Sequence, residues 1–334
     1  MATIYDVAKR AGVSISTVSY ALNGKRPLTA ETRRRIEEAV RELGYRPNAG
    51  ARMLASTRTN ILALTAPMHA ETHPPAFMAF VLAVVTAARE HDYDVLLLTE
   101  SDAVGGLRRV ASSSLVDGVV VMDVALEDAR LDVVRELGLP ASVIGVPRDT
   151  GGLVCVDLDF ERAAALAVEH LHGSGHAAIG LLGQAPSLYE RGSNFAPRFR
   201  DAFLAAADAL PVDAAFAPAE RTPVGVGAAL DGLRERLPAM DALVLDCNEH
   251  VHGLALEALR ERGVRVPEEL SLLSACSSFA TDHLTPPLDV IPLPAPTSGR
   301  RAVELVLAQL EGTVVPHVEL IEPTVVPKGS VVRR

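Results

Sequence analysis

Apolar residues in the first 45 positions fall into three short stripes of helical period; beyond position 60 they become short apolar runs alternating with longer amphipathic stretches. In the first stripe Ile4, Val7, Ala8 and Ala11 recur at i, i+3, i+4 and i+7. Thr3 followed by Asp6 has the pattern of a capping box, which predicts a helix that Gly12 ends. Gly12-Val13-Ser14 is the length of an interhelical turn, and Ser14 can cap a second helix over about 15–22 with Val18, Ala21 and Leu22 inward. Asn23-Gly24 and Pro27 break that helix, Thr29 caps a third, and Ile36, Ala39, Val40 and Leu43 give it an inner stripe. The three stripes can close one small core.

The outer face of the second helix carries Ile15, Ser16, Thr17, Ser19 and Tyr20, polar but uncharged. Hydroxyls can bond base edges or phosphates, Ile15 offers methyl contact to thymine, and Tyr20 can stack or donate. A serine-rich face on a three-helix protein-interaction module is the competing explanation. Charge alone does not decide between them. Although the chain carries a net −10, residues 1–60 hold 11 Lys and Arg against 5 acids, leaving 21 basic and 37 acidic residues beyond. A basic head on an acidic body suits phosphate neutralisation by the head, although a solvated basic tail would have the same charge.

Pro47 stops the third helix, and Asn48 can cap a run over 49–55 that is too short to hold its own helix without packing. An ordinary flexible linker would read similarly. From Asn60 the runs ILALTA, DVLLL, GVVVM, ASVIGV, AIGLLG, ALVLD and LSLLS read as buried strands. Helical stretches over 76–90, 160–172, 199–210, 225–237 and 249–262 alternate with them. The fold class expected is a small all-α helix-turn-helix head plus an α/β body of two doubly wound parallel-sheet lobes, with ligands at the carboxyl ends of strands. At 334 residues the chain exceeds what one core usually supports. The absence of a signal-like start and of any long apolar run places it in the cytoplasm with no membrane partner, and Cys155, Cys247 and Cys276 are expected reduced.

The segment IYDVAKRAGVSISTVSYALN, from Ile4 to Asn23, together with TRRRIEEAVRELGYRPNAGARML, resembles the headpiece and hinge of the LacI/GalR (lactose-repressor) family over residues 2–58. The resemblance implies base reading by Ile15, Ser16 and Tyr20, with Tyr5, Ser14, Thr17, Ser19, Asn23 and Thr32 near the phosphate backbone. Where the family commonly carries a guanine-pairing arginine this chain has Tyr20, so its preference at that base pair does not carry over. The family uses the segment after Pro47 as a hinge helix in the minor groove. Leu54 would then be the wedge between bases, with Ala51 and Arg52 beside it, coupling linker folding to operator binding.

In the body the resemblance rests on element order and on short phrases such as the closing EPTVVPKGSVVR. It implies a head over 1–46, a hinge over 47–59 and a periplasmic-binding-protein-like body over 60–334. Lobe one would span about 60–157 and 292–322, and lobe two about 158–291 and 323–334, with crossovers near Asp157, Ile291 and Glu322. A small-molecule effector of open class would meet Pro67, His69, Met122, Asp123, Arg198 or Arg200, Asn248 and Cys276. Sugar-binding members often carry Asn-Asp where this chain has Cys247-Asn248, and an aspartate where it has Cys276. Loss of those carboxylates weakens the case for a plain sugar. An arginine there would suit an anionic ligand or hold an acidic neighbour between the lobes.

Cys247, Glu249, His250 and His252 invite a zinc reading, but His250 and His252 do not share a helix face, so no metal or cofactor is expected. Gly105-Gly106 and Gly151-Gly152 are expected turns, and no local nucleophile and base demand catalysis. No leucine heptads follow the body, which makes a homodimer the default. The expected function is an operator-binding regulator, with repression the expected direction, controlled by an effector in the interlobe cleft. The alternative is a cytoplasmic small-molecule-binding protein or enzyme with a vestigial DNA-binding head.

Overall fold

A computed structural model describes residues 2–23, 28–45, 58–69, 72–99 and 102–334. The chain divides into two compact units, Met1–Thr59 and Asn60–Arg334. In the first, α1 (Ile4–Ala11) begins on a complete capping box in which Thr3 Oγ1 accepts from the Asp6 N–H and Asp6 Oδ2 accepts from the Thr3 N–H at 2.8 Å. Gly12 ends it with φ 64°, a left-handed conformation that favours glycine, and the Arg35 guanidinium donates to the carbonyls of Ala11 and Gly12. Ser14 Oγ then accepts from the Thr17 N–H at 3.1 Å and starts α2 (Ile15–Asn23). Thr29 caps α3 (Ala30–Leu43) by accepting from the Thr32 N–H.

Val7, Ala8, Ala11, Val18, Ile36 and Ala39 form the core of this unit, each no more than 5% exposed. Burying Val7, Val18 and Ile36 contributes about 1.5–3 kcal/mol each. Leu43, expected inward, is exposed because α3 has 14 residues and runs past the eight-residue α1 against which it packs. The side chain of Leu22 and the breakers Gly24 and Pro27 lie outside the described residues, as do Pro47 and the run over 49–55.

The body holds two all-parallel sheets. The first contains β1 (Ile61–Thr65), β2 (Asp94–Leu98), β3 (Gly118–Val121), β4 (Ala141–Ile144), β5 (Val154–Leu158) and β11 (Val318–Ile321), ordered β11-β5-β4-β3-β1-β2. The second contains β6 (Ala178–Gly183), β7 (Asp213–Pro218), β8 (Ala242–Leu245), β9 (Ser271–Ser277) and β10 (Asp289–Pro292), ordered β10-β9-β8-β6-β7. The central strands are buried on both faces, which is why they are continuous apolar runs rather than alternating ones. In β1, Leu62 and Leu64 meet α4 (Pro74–Glu90) and α12 (Ala295–Leu310), while Ala63 faces α5 (Ala103–Ser112) and α6 (Ala129–Leu137). The second sheet is covered by α7 (Phe160–Gly173) and, after the short α8 (Pro186–Glu190), by α9 (Phe195–Asp208) on one face, and by α10 (Pro223–Arg236) and α11 (Glu249–Glu261) on the other.

Gly105 and Gly106, expected to turn, lie inside α5, because Asp102 caps the Gly105 N–H at 2.8 Å and gives the helix its start. Gly151 and Gly152 do turn, with φ 53° and 82°. The chain passes from the first sheet to the second between β5 and α7, and returns between β10 and α12. After β11 it rejoins the second sheet, where the N–H groups of Lys328, Gly329 and Ser330 converge on Asp289 Oδ1 at 2.7, 2.7 and 3.0 Å.

Candidate functional site

On the head, the turn and the Ser14 cap leave one face of α2 outward. Ile15 and Tyr20 are exposed, Ser16 is exposed, and Thr17 and Ser19 are partly covered. Ser14 Oγ lies 2.8 Å from Ser16 Oγ and 2.7 Å from Thr17 Oγ1, so the hydroxyls already form a local network at the start of α2. Tyr5 is exposed on α1, and Thr32 Oγ1 accepts from Thr29 at 2.8 Å. The side chain of Asn23, and Ala51, Arg52 and Leu54, lie outside the described residues.

Between the two sheets of the body lies a cavity of about 190 Å³. Of the eight effector contacts expected from the sequence, Met122, Asp123, Asn248 and Cys276 line it; Pro67, His69, Arg198 and Arg200 do not. The two arginines are held by local partners. Arg198 is held by acids, Nη1 on Asp157 at 2.7 Å and Nε and Nη2 on Glu161, both at 2.7 Å, with its guanidinium 5.6 Å from the Phe160 ring. Arg200 pairs with Asp201 at 2.7 Å and lies over Tyr189 and Phe216. His69 Nε2 is 3.8 Å from Asp123 Oδ2. The cavity arginines are Arg191 and Arg221, neither singled out from the sequence. Arg191 Nη2 donates to Asp123 Oδ1 at 3.0 Å across the two lobes.

Strand ends place the polar floor. Asp157 lies in β5, Asp246 and Cys247 follow β8, and Asn248 caps α11 by accepting from the Val251 N–H at 3.1 Å. Burial pushes Asp157 up to about 6, despite the charge and hydrogen bond of Arg198 that oppose it. Burial pushes Asp246 further, to about 7, with only the Gln184 side-chain hydrogen bond acting the other way. The Cys276 thiol is held protonated by burial beside Asp246 and Asp157. His252 is buried and depressed to about 4; it bonds the Asn248 carbonyl oxygen through Nδ1 at 2.9 Å and Ser274 Oγ through Nε2 at 2.8 Å. Among the described residues no group of three or more His, Cys, Asp or Glu could hold a metal ion.

Arg130 was also missed by sequence reasoning. Buried on α6, it pairs bidentately with Asp128 at 2.9 and 2.6 Å and donates to the carbonyls of Thr65, Met122 and Asp123 at 3.3, 3.0 and 2.9 Å. It thereby braces the carboxyl ends of β1 and β3, where Met122 and Asp123 enter the cavity. Gly145 follows β4 with φ 125°, and a Cβ there would stand 2.4 Å from the Asn194 amide nitrogen. The positive φ is what favours glycine there.

A helix-turn-helix head with an exposed polar second helix, joined to a two-lobed α/β body around a polar-floored cavity, defines a DNA-binding transcriptional regulator with an effector-binding domain. Residues 3–48 match the family described as bacterial regulatory proteins, lacI family, and residues 168–331 match the periplasmic binding protein-like domain. The chain is 28% identical over 334 residues to the HTH-type transcriptional regulator CelR of Thermobifida fusca, covering 96% of each protein. It shares its fold with a Lac repressor dimer bound to operator and the anti-inducer ONPF, at TM-score 0.82, 23% identity and 99% coverage of each chain. It also shares its fold with a CelR–cellobiose complex, at TM-score 0.70, 24% identity, and 99% and 100% coverage. The chain belongs to the LacI family of transcriptional regulators. No helix among its described residues is long and apolar enough to cross a membrane.

Proposed function

We propose that this regulator is a cytoplasmic repressor that binds a palindromic operator as a homodimer, with its affinity for DNA set by a small molecule in the interlobe cleft. The observation that carries the reading is the outward face of α2. Ile15, Ser16 and Tyr20 project from a helix whose start is fixed by Ser14, on a head whose charge is opposite to that of the body. A helix presented this way can enter a major groove. Tyr5, Ser14, Thr17, Ser19, Asn23 and Thr32 hold the backbone in this reading, and Leu54, flanked by Ala51 and Arg52, wedges the minor groove.

Self-association is supported by an apolar stripe on α4, where Met78, Leu82 and Val85 are exposed at i, i+4 and i+7, and by exposed Leu96 and Leu97 on edge strand β2. The Lac repressor neighbour is itself a dimer on its operator. Met122, Asp123, Asn248 and Cys276 contact the effector, joined by Arg191 and Asp246. The direct test is selection of bound sites from a random double-stranded DNA pool by purified protein at near-physiological salt. A short palindrome is the expected result; enrichment of asymmetric single sites counts against the dimeric reader, and no enrichment counts against sequence-specific binding.

A further inference from the structure

The cavity contains an acid that meets the Gln184 side chain but has no cation beside it. Asp246 is 2% exposed, lines the cavity, and its Oδ2 has no hydrogen-bond partner. The nearby cations are already engaged: Arg191 is bonded to Asp123, and Arg198 is bonded to Asp157 and Glu161. Arg221, which also lines the cavity, adds its charge to the burial that depresses His73, and Asp246 forms no ion pair among the described residues. A buried carboxylate without a cation is costly, and the cost is relieved by a ligand that brings the missing positive charge. The rest of the cavity constrains that ligand's body. Phe77 and Phe80 on α4, with Phe160 and Phe195 at the starts of α7 and α9, line it together with Leu188 and Leu293. Such walls favour an aromatic or alicyclic skeleton over a heavily hydroxylated or phosphorylated one.

We propose that the effector is a small amine that sets a protonated nitrogen against Asp246 and an aromatic or alicyclic body against the phenylalanines of the cleft. This rests on the cleft being the effector site. Two orphaned donors add a further feature: Asn194 Nδ2 and Arg191 Nε are buried without acceptors, and both residues line the cavity. A hydroxyl or ether oxygen on the amine's skeleton would satisfy one of them.

The test compares matched skeletons on the full-length protein. Benzylamine, 2-phenylethylamine and cyclohexylmethylamine are each titrated beside the alcohol and the carboxylate of the same skeleton, with cellobiose as a polyhydroxyl probe, by calorimetry and thermal shift. The expected result is binding of at least one amine about ten-fold tighter than its alcohol, with that margin lost in Asp246→Asn. An alcohol, carboxylate or cellobiose that binds as tightly as every amine overturns the amine, as does Asp246→Asn retaining the margin, or no amine binding at all. Leu188→Trp, which narrows the cleft, separates the two levels of the reading. Cellobiose or a carboxylate binding to the wild type and lost in Leu188→Trp keeps the cleft as effector site while removing the amine; tight amine binding that persists in Leu188→Trp removes the cleft itself.

Discussion

Asp123 and Arg191 stand on opposite lobes and are joined by a 3.0 Å hydrogen bond, with Asp123 held at φ 52°, a conformation that few non-glycine residues adopt. Two backbone contacts run beside the pair. The Leu126 N–H donates to Gly192 O at 2.8 Å, and Ala125 bridges Ser193 in antiparallel fashion. Together they latch the lobes at one edge of the cavity. Asp123→Asn and Arg191→Gln are each expected to open the lobes, seen as a larger radius of gyration in small-angle scattering. A double-mutant cycle on thermal stability should give a coupling of about 1.5–3 kcal/mol, as for a charged hydrogen bond. Additive losses would mean that the two side chains act independently.

The buried Asp246, with no cation beside it, makes stability depend on pH in a definite direction. Its ordinary value of 3.8 is raised to about 7 by burial, so the folded protein holds this proton more tightly than the unfolded chain does. The resulting stability is complete below about pH 4 and is lost as pH rises to about 7. Asp157, raised to about 6, acts in the same sense over the lower part of that window. His252, depressed to about 4, acts oppositely: its contribution is present above about 6.5 and is lost as pH falls through 4. Asp246→Asn cannot ionise, so its gain over the wild type should grow from near zero at pH 4 to a few kcal/mol at pH 8. Urea denaturation at the two pH values measures this, and an equal difference at both would show that Asp246 is not the source.

The head was legible almost residue by residue because local rules decide it. Thr3 with Asp6, Gly12, Ser14 and Thr29 are caps and stops whose partners lie within a few residues, and each is found at that duty. Most central strands were legible for a related reason, since burial on both faces leaves an uninterrupted apolar run, but β5, whose run is broken by Asp157, was not. Of the edge strands, β2 was legible as DVLLL, whereas β7, β10 and β11 were not. β11 alternates exposed and half-buried residues, and β7 begins with an aspartate and ends with a proline, so neither has a run to detect. The cleft was half legible. Asn248 and Cys276 follow from strand ends, but which arginine enters depends on partners distant in sequence: Arg198 is drawn to Asp157, 41 positions away, and Arg191 to Asp123, 68 positions away. Asp246 did leave a signal, as the first charged residue at the carboxyl end of the run ALVLD. Arg130 left none, because three of its acceptors are backbone carbonyls.

Arg130 is expected to be the most costly single charge to remove from the first lobe. Arg130→Met leaves the Asp128 carboxylate without its cation and frees the carbonyls of Thr65, Met122 and Asp123. Burial raises the pKa of Asp128 and the Arg130 bonds overcome that, so the net position is below the usual range; without the arginine, burial would dominate. A loss of about 3–5 kcal/mol is expected in chemical denaturation. Arg130→Lys should recover part of it, since an ammonium can meet the acid but cannot span the same fork of acceptors. A loss under about 1 kcal/mol for Arg130→Met would show that the strand ends are braced by other contacts.

Tyr20 and Ser14 separate sequence reading from positioning on α2. Tyr20 is exposed, on the face proposed to meet bases, so Tyr20→Ala should relax discrimination at one base pair of each half-site by about 1–3 kcal/mol while leaving the rest of the operator preference unchanged. Ser14 Oγ instead holds the Thr17 N–H at 3.1 Å and contacts two neighbouring hydroxyls. Ser14→Ala should therefore destabilise the head by about 1 kcal/mol and weaken binding to every sequence by a similar factor. Competition binding against a library of single-base operator variants reads both effects at once. Should Tyr20→Ala lower affinity uniformly across that library, the tyrosine contacts backbone rather than a base edge, and specificity at that position must come from Ile15 and Ser16 or from the shape of the DNA.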